Sequence, residues 1–300
     1  MAGNLNAIHS FSDPGLDKQK IFEYELSVRL KADSLAYCIL DTNTNKFLHL
    51  EAWDLAIPDR KPFIPGDKEP TDTRRLVQLL EDELNWLTHG FSRIRIVIDQ
   101  GKSTLMPRAL FRAEERKNIY ELNVAGGPWP EKELRYDELS SVNAFAVYHL
   151  PADMGEMIGK YFSSAGIYHY SSAFIQAIYL KNMNRDNDKL LYVNVASSRL
   201  DILRIKGKKL DYFNSFRYNT AEDFMYYLIF VVEQLGLNPE SVELVMMGEV
   251  DKHSGITDLA MKYVRNIDFI KRNTDFRYSF VFDQIPGQYY FNLLNASLCE

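Results

Sequence analysis

Apolar and polar residues alternate along this chain in short runs separated by turn-forming clusters, and in a few stretches the apolar residues recur with helical spacing. "YELSVRL" (24–30), "LAYCILD" (35–41) and "KFLHLEAWDL" (46–55) read as strands. "DTNTNK" (41–46) reads as the turn between the last two, because Asn and Asp tolerate left-handed backbone. A polar leader of about twenty residues precedes them, and a proline-rich loop, "IPDRKPFIPGDKEP" (57–70), follows. "TDTRRLVQLLEDELNWL" (71–87) sets Leu76, Leu79, Leu80, Leu84 and Leu87 along one face of a helix. "RIRIVID" (93–99) returns to strand, and strand-like pieces continue to "AFAVYHL" (144–150). A helix (152–166), a short strand (167–170) and a second helix (171–180) complete this half.

"KNMNRDNDK" (181–189) is polar and has no apolar period, which places a boundary between a first domain, 1–183, and a second, 184–300. The strand pattern then restarts with "LLYVNVA" (190–196), "RLDILRI" (199–205) and "KLDYFNSF" (209–216). A helix, "TAEDFMYYLIFVVEQLG" (220–236), opens on a Thr220/Asp223 capping box and stops at Gly236. Its apolar residues surround the cylinder, so it is expected to lie buried between layers. The strand "VELVMMG" (242–248) and helices near "ITDLAMKYV" (256–264) and "QYYFNLLNASL" (288–298) follow. The same order twice over suggests duplication. Hairpin-linked strands that feed a crossover imply a mixed sheet with helical cover in each half, with a cleft between two lobes.

Composition narrows the function classes. An apolar fraction of 46% and a charged fraction of 25% promise full cores, and a net charge of −6 argues against nucleic acid or anionic lipid as partner. The two cysteines, Cys38 and Cys299, make neither a disulfide framework nor a metal knuckle, which suits the cytoplasm. The longest apolar run, "FMYYLIFVV" (224–232), is too short to span a bilayer, so no transmembrane segment is expected.

The motifs that suggest chemistry fall short of it. "GKST" (101–104) has Ile96 where a phosphate-binding loop needs its first glycine, and Pro107 follows where that loop needs a helix. "NMNRDNDK" (182–189) lacks the glycine and the closing glutamate of a calcium loop. Six histidines show no paired helical spacing, and no catalytic dyad or nucleophile elbow stands out. These absences predict no catalytic residues and no metal.

The segment "FAVYHLPADMGEMIGKYFSSAGIYHYSSAFIQAI" (145–178) is similar to the strand, helix, turn and small-residue helix that precede the second lobe in the actin-like ATPase superfamily, notably its pilus-assembly and secretion-platform members. The likeness extends in element order over most of the chain from about residue 24. "FNSFRYNTAEDFMYYLIFVVEQLGL" (213–237) and "PGQYYFNLLNASLCE" (286–300) resemble an uncharacterised bacterial domain-of-unknown-function family within it. The resemblance implies an α/β, duplicated, actin-like (ribonuclease H-like) bilobed fold. Residues 100–140, with "AGGPWPEKEL" (125–134), fit it poorly and are where family-specific function is expected.

The superfamily's phosphate turns carry over residue by residue. The first Asp-x-Gly turn falls on Asp41 and Asn43, the second on Asn194 and Ala196, and the adenosine-side glycine pair keeps only Gly248, between Met247 and Glu249. Side chains at Asn43 and Ala196 remove the room that lets amides approach phosphate, and Asn194 has no charge for magnesium. The expectation is a vestigial nucleotide site without cofactor, on a non-enzymatic scaffold or regulatory protein. The resemblance implies an unidentified protein partner, with a peripheral link to a membrane complex, because similar platform proteins bind cytoplasmic tails. The alternative is a divergent ATPase or kinase that uses ATP and magnesium, its cleft lined by Asp41, Ser197, Ser198 and Gly248.

Overall fold

The computed structural model describes residues 7–55, 73–183, 185 and 187–299. The chain forms two compact units: Met1–Phe174 with Thr274–Gln284 and Leu293–Glu300, and Ile175–Asn273 with Ile285–Asn292. The division therefore falls before the polar stretch at 181–189, and two C-terminal segments return to the first unit. The physical reason lies in Asn182, whose buried side chain accepts a hydrogen bond from Tyr192 at 3.1 Å and ties the stretch into the second unit.

In the first unit the strands are β1 (Ala7–Ser12), β2 (Tyr24–Leu30), β3 (Ser34–Asp41), β4 (Lys46–Asp54) and β5 (Arg93–Ile98). The leader thus contributes an edge strand, β1, antiparallel to β4. Helix α1 (Thr73–Asp82) buries Leu76, Leu79 and Leu80. It ends earlier than its apolar spacing suggests, and Leu84 and Leu87 reach the same core from a following turn. The first residues assigned to that helix, 71–72, and the proline-rich loop lie outside the described residues.

Between β5 and α3 (Ala152–Tyr161) stands a separate antiparallel sheet of β6 (Ser103–Pro107), β7 (Leu134–Leu139) and β8 (Ala144–His149), in the order β6-β8-β7. Helix α2 (Arg116–Asn123) covers one face of it, packing Ile119 and Tyr120 with Trp129, Leu134 and Val147. Strand β9 (Gly166–His169) then joins β5 in parallel, and α4 (Tyr170–Asn182) follows directly. The first sheet reads β1-β4-β3-β2-β5-β9.

Asp137 of β7 anchors the small sheet to the start of α4. Its carboxylate accepts from the His169 amide at 2.8 Å and the Ser172 hydroxyl at 2.6 Å. Burial nevertheless pushes this carboxyl up to about 6, against the pull of those bonds. An acid whose folded pKa is raised stabilises the fold most below its unfolded value, and that contribution is lost as pH rises through the folded one. Stability is therefore expected to fall by about 2–3 kcal/mol between pH 4 and pH 6 and then level off. Asp137→Asn should flatten that slope in urea titrations. A wild-type profile equally flat over the window would refute the assignment.

In the second unit, β10 (Leu190–Ala196), β11 (Arg199–Lys206) and β12 (Lys209–Arg217) form two hairpins. Helix α5 (Ala221–Gln234), β13 (Glu243–Gly248), α6 (Gly255–Ala260) and β14 (Asn266–Phe269) follow, and the sheet reads β12-β11-β10-β13-β14. Every residue of β10 is buried, as for a strand covered on both faces. The Thr220/Asp223 capping box is present. α5 is not buried all round: Phe224, Met225, Leu228, Val231 and Val232 face the core, while Tyr226 and Phe230 are exposed and stack 6.3 Å apart. Aromatic neighbours one turn apart shield each other, so an all-apolar helix still keeps an outer face.

The chain ends with β15 (Arg277–Tyr278), parallel to β4 in the first unit, and the short helix α7 (Phe291–Leu294). Among the described residues no helix is long and apolar enough to cross a membrane.

Candidate functional site

The two sheets share one plan. In each, an antiparallel three-strand meander (β2-β3-β4 and β10-β11-β12) continues through its first strand into two parallel strands (β5-β9 and β13-β14). In α/β sheets, ligands bind beyond the carboxyl ends of the parallel strands. Those ends carry Leu30, Ile98 and His169 in the first unit and Ala196, Gly248 and Phe269 in the second.

Asp41 lies at the other end of its sheet. It pairs with Tyr24, the first residue of β2, and its turn joins β3 to β4. The carboxylate accepts from the Asn43 amide at 2.9 Å and the Thr44 hydroxyl at 2.7 Å, while the Asn43 side chain donates to Glu23 at 3.0 Å. This is a self-closed Asx-type turn. Asp41 and Asn43 are thus placed apart from the carboxyl ends of the parallel strands β2, β5 and β9.

Register identifies the matching turn of the first unit. In the second unit Ala196 pairs with Arg199 across the Ser197-Ser198 turn, and Asn194 pairs with Asp201. In the first, the Lys31 amide bonds the Ser34 carbonyl at 3.0 Å across Ala32-Asp33, and Arg29 pairs with Ala36. Arg29 therefore occupies the position of Asn194, and Lys31 that of Ala196. The Arg29 guanidinium stands 3.9 Å from the buried carboxylate of Asp99, just past β5. Two cations thus stand at these positions, and the first lies within ion-pair distance of Asp99.

The second unit's turn is also occupied by its own side chains. Asp201 is fully buried and accepts from Asn194 Nδ2 at 2.8 Å and from Arg199 Nε at 3.1 Å. Tyr218 seals the turn: its hydroxyl donates to the Ala196 carbonyl at 2.5 Å, and its amide to the Ser198 carbonyl at 3.2 Å. Burial pushes this phenol up to about 12, so it remains a donor at neutral pH. Ser197 and Ser198 are exposed at the tip.

Gly248 ends β13 with φ +92°, and a Cβ there would lie 2.2 Å from the Val195 carbonyl and 3.0 Å from Asn194 Oδ1. Its amide bonds the Gln288 carbonyl at 3.0 Å, and the next amide, of Glu249, bonds Val195 O at 2.7 Å. Close packing of β13 on β10 thus explains this glycine without any ligand. Among the described residues no group of three or more His, Cys, Asp or Glu is arranged to hold a metal.

Sequence reasoning missed Arg29, Lys31, Asp99, Arg199 and Asp201. The signal was present in the strand order, since the first hairpin after each first strand is the comparable one.

The model of the DUF3822 family, described as a protein of unknown function, matches residues 13–267. The chain belongs to this family. A Bacteroides thetaiotaomicron protein with actin-like ATPase fold and unknown function is similar to this DUF3822 protein at TM-score 0.71 and 22% identity, over 85% of this chain and 93% of that one. A chain of the PilM–PilN type IV pilus biogenesis complex is similar at TM-score 0.53 and 12% identity, over 91% and 97%. No curated protein matches in sequence. The DUF3822 protein has the actin-like fold that its element order implies, with two mixed sheets covered by helices.

Proposed function

We propose that this DUF3822 protein is an actin-fold protein that does not turn over ATP and acts by binding another protein, as a scaffold or regulator. The carrying observation is Asp201, the buried acid of the second turn, whose carboxylate is engaged by Asn194 and Arg199. A carboxylate neutralised in this way is poorly placed to hold magnesium or its waters. The Arg29–Asp99 pair in the matching turn of the first unit supports the same reading. Support for a protein partner comes from the PilM–PilN neighbour, which was solved as a complex. The buried, unpaired Cys38 and Cys299 fit a reducing, cytoplasmic setting, from which the protein would attach peripherally to a membrane assembly.

Thermal unfolding with and without millimolar ATP and magnesium tests the first half. A ligand at a hundred times its dissociation constant stabilises by about 2.7 kcal/mol, so a bound nucleotide is readily seen. No shift is expected. A magnesium-dependent rise in melting temperature would restore the divergent ATPase or kinase reading. Affinity capture from the native organism tests the second half, and a strictly partner-free monomer across conditions would end it.

A further inference from the structure

The "GKST" stretch, which is no phosphate loop, carries one end of a hydroxyl chain in the first unit. Ser103, the half-buried first residue of β6, lies with its Oγ 2.7 Å from the Oγ of Ser171 in the first turn of α4. Ser171 Oγ lies 2.7 Å from Nδ1 of His169, the last residue of β9, and both residues are fully buried. His169 Nε2 is 3.3 Å from the Gln100 carbonyl. The ring sits between Tyr148 and Tyr170, with centroids 5.1 and 4.4 Å away.

Donor and acceptor bookkeeping orients the whole chain. A carbonyl oxygen only accepts, so Nε2 carries the proton. The Ser171 amide also points at Nδ1, at 3.3 Å, which a protonated nitrogen would oppose. Nδ1 therefore presents its lone pair and accepts the Ser171 hydroxyl, and Ser171 Oγ in turn accepts the Ser103 hydroxyl. A neutral imidazole, oriented by a backbone carbonyl, ends a relay that begins at the accessible serine. Base, orienting group and nucleophile are the three parts that activated serines need. Gly101, at φ +73°, turns the chain into β6, whose first residue, Ser103, is half-buried.

We propose that Ser103 is an activated nucleophile that accepts an acyl group from a carboxylic ester. Its Oγ bonds to the carbonyl carbon while its proton passes to Ser171, and the Ser171 proton passes to His169 Nδ1. Collapse breaks the ester C–O bond, and the departing alkoxide is protonated by a solvent water while the Ser103 proton stays on the buried imidazole. Hydroxide from that water then attacks the acyl carbon, and collapse releases the acid as the imidazole proton returns through Ser171 to Ser103 Oγ. This reactivity belongs to the first unit alone and does not depend on the phosphate turns or on a protein partner.

The full chain should be treated with a fluorophosphonate probe and mapped by peptide mass spectrometry, alongside p-nitrophenyl acetate hydrolysis. The expected result is one adduct, on Ser103, lost in Ser103→Ala. Ser171→Ala should slow labelling and hydrolysis more than tenfold while leaving the melting temperature within a degree or two, and His169→Gln should do the same wherever it folds. Absence of an adduct at millimolar probe, an adduct on another serine, or a Ser171→Ala variant that labels like the wild type would overturn the proposal.

Discussion

Gly248→Ala is expected to cost the second unit roughly 3–5 kcal/mol, by adding positive-φ strain of about 1–3 kcal/mol to an overpacking penalty of similar size. The substituted Cβ would lie 2.2 Å from a main-chain oxygen, Val195 O, and that oxygen is held by the Glu249 amide at 2.7 Å. Neither atom can yield without opening the β10–β13 contact, where Val195 and Gly248 close the parallel ladder. The readout matters, because the three tryptophans, Trp53, Trp86 and Trp129, all lie in the first unit. Tryptophan fluorescence therefore reports that unit, and hydrogen exchange at the amides of β10, β11 and β13 reports the other. Protection in the second unit should drop by about a hundred- to several-thousandfold with little change in the fluorescence transition. Unchanged protection would mean that the glycine is not kept by packing, and a ligand would again be needed to explain it.

Much of this architecture is legible in the chain. β2 and β10 are read residue for residue, and β3 and β4 to within one residue, because runs of β-branched and aromatic residues end at obvious turn clusters. The edge strand β1 is hidden because its six residues, "AIHSFS", are mostly exposed and carry little apolar signal. The parallel edge strand β14, "NIDF", is hidden for the same reason: its identity rests on pairing with β13, which no local pattern encodes.

The candidate site shows a different limit. Asp41 attracts attention because it is an acid in a polar turn, yet that turn closes the second hairpin of its meander, whereas Asn194 and Ala196 open the first hairpin of theirs. Alignment by strand position leads to Arg29 and Lys31, which have none of the residue types that a phosphate turn suggests. Asp201 was invisible for a related reason. A buried acid inside "RLDILRI" looks like an interruption of a strand until the cross-strand register sets it opposite Asn194 and beside Arg199.

Asp201→Ala is the variant that ties stability to function. Removing one partner of a buried ion pair leaves the other uncompensated and typically costs about 3–5 kcal/mol. Here the loss also takes the acceptor from Asn194 Nδ2. The Arg199 side chain keeps only a small exposed fraction, 14%, so water repairs little of the damage. The double variant should cost less than Asp201→Ala and Arg199→Ala combined, because the pair is lost only once. Hydrogen exchange in β10 and β11 is the direct measurement. An acid reserved for a metal ion behaves in the opposite way: neutralising it relieves desolvation strain and leaves the empty protein as stable or more so. A destabilised Asp201→Ala with a coupled Arg199 therefore marks the turn as internally closed, whereas a stabilised one would mark it as a site waiting for its cation.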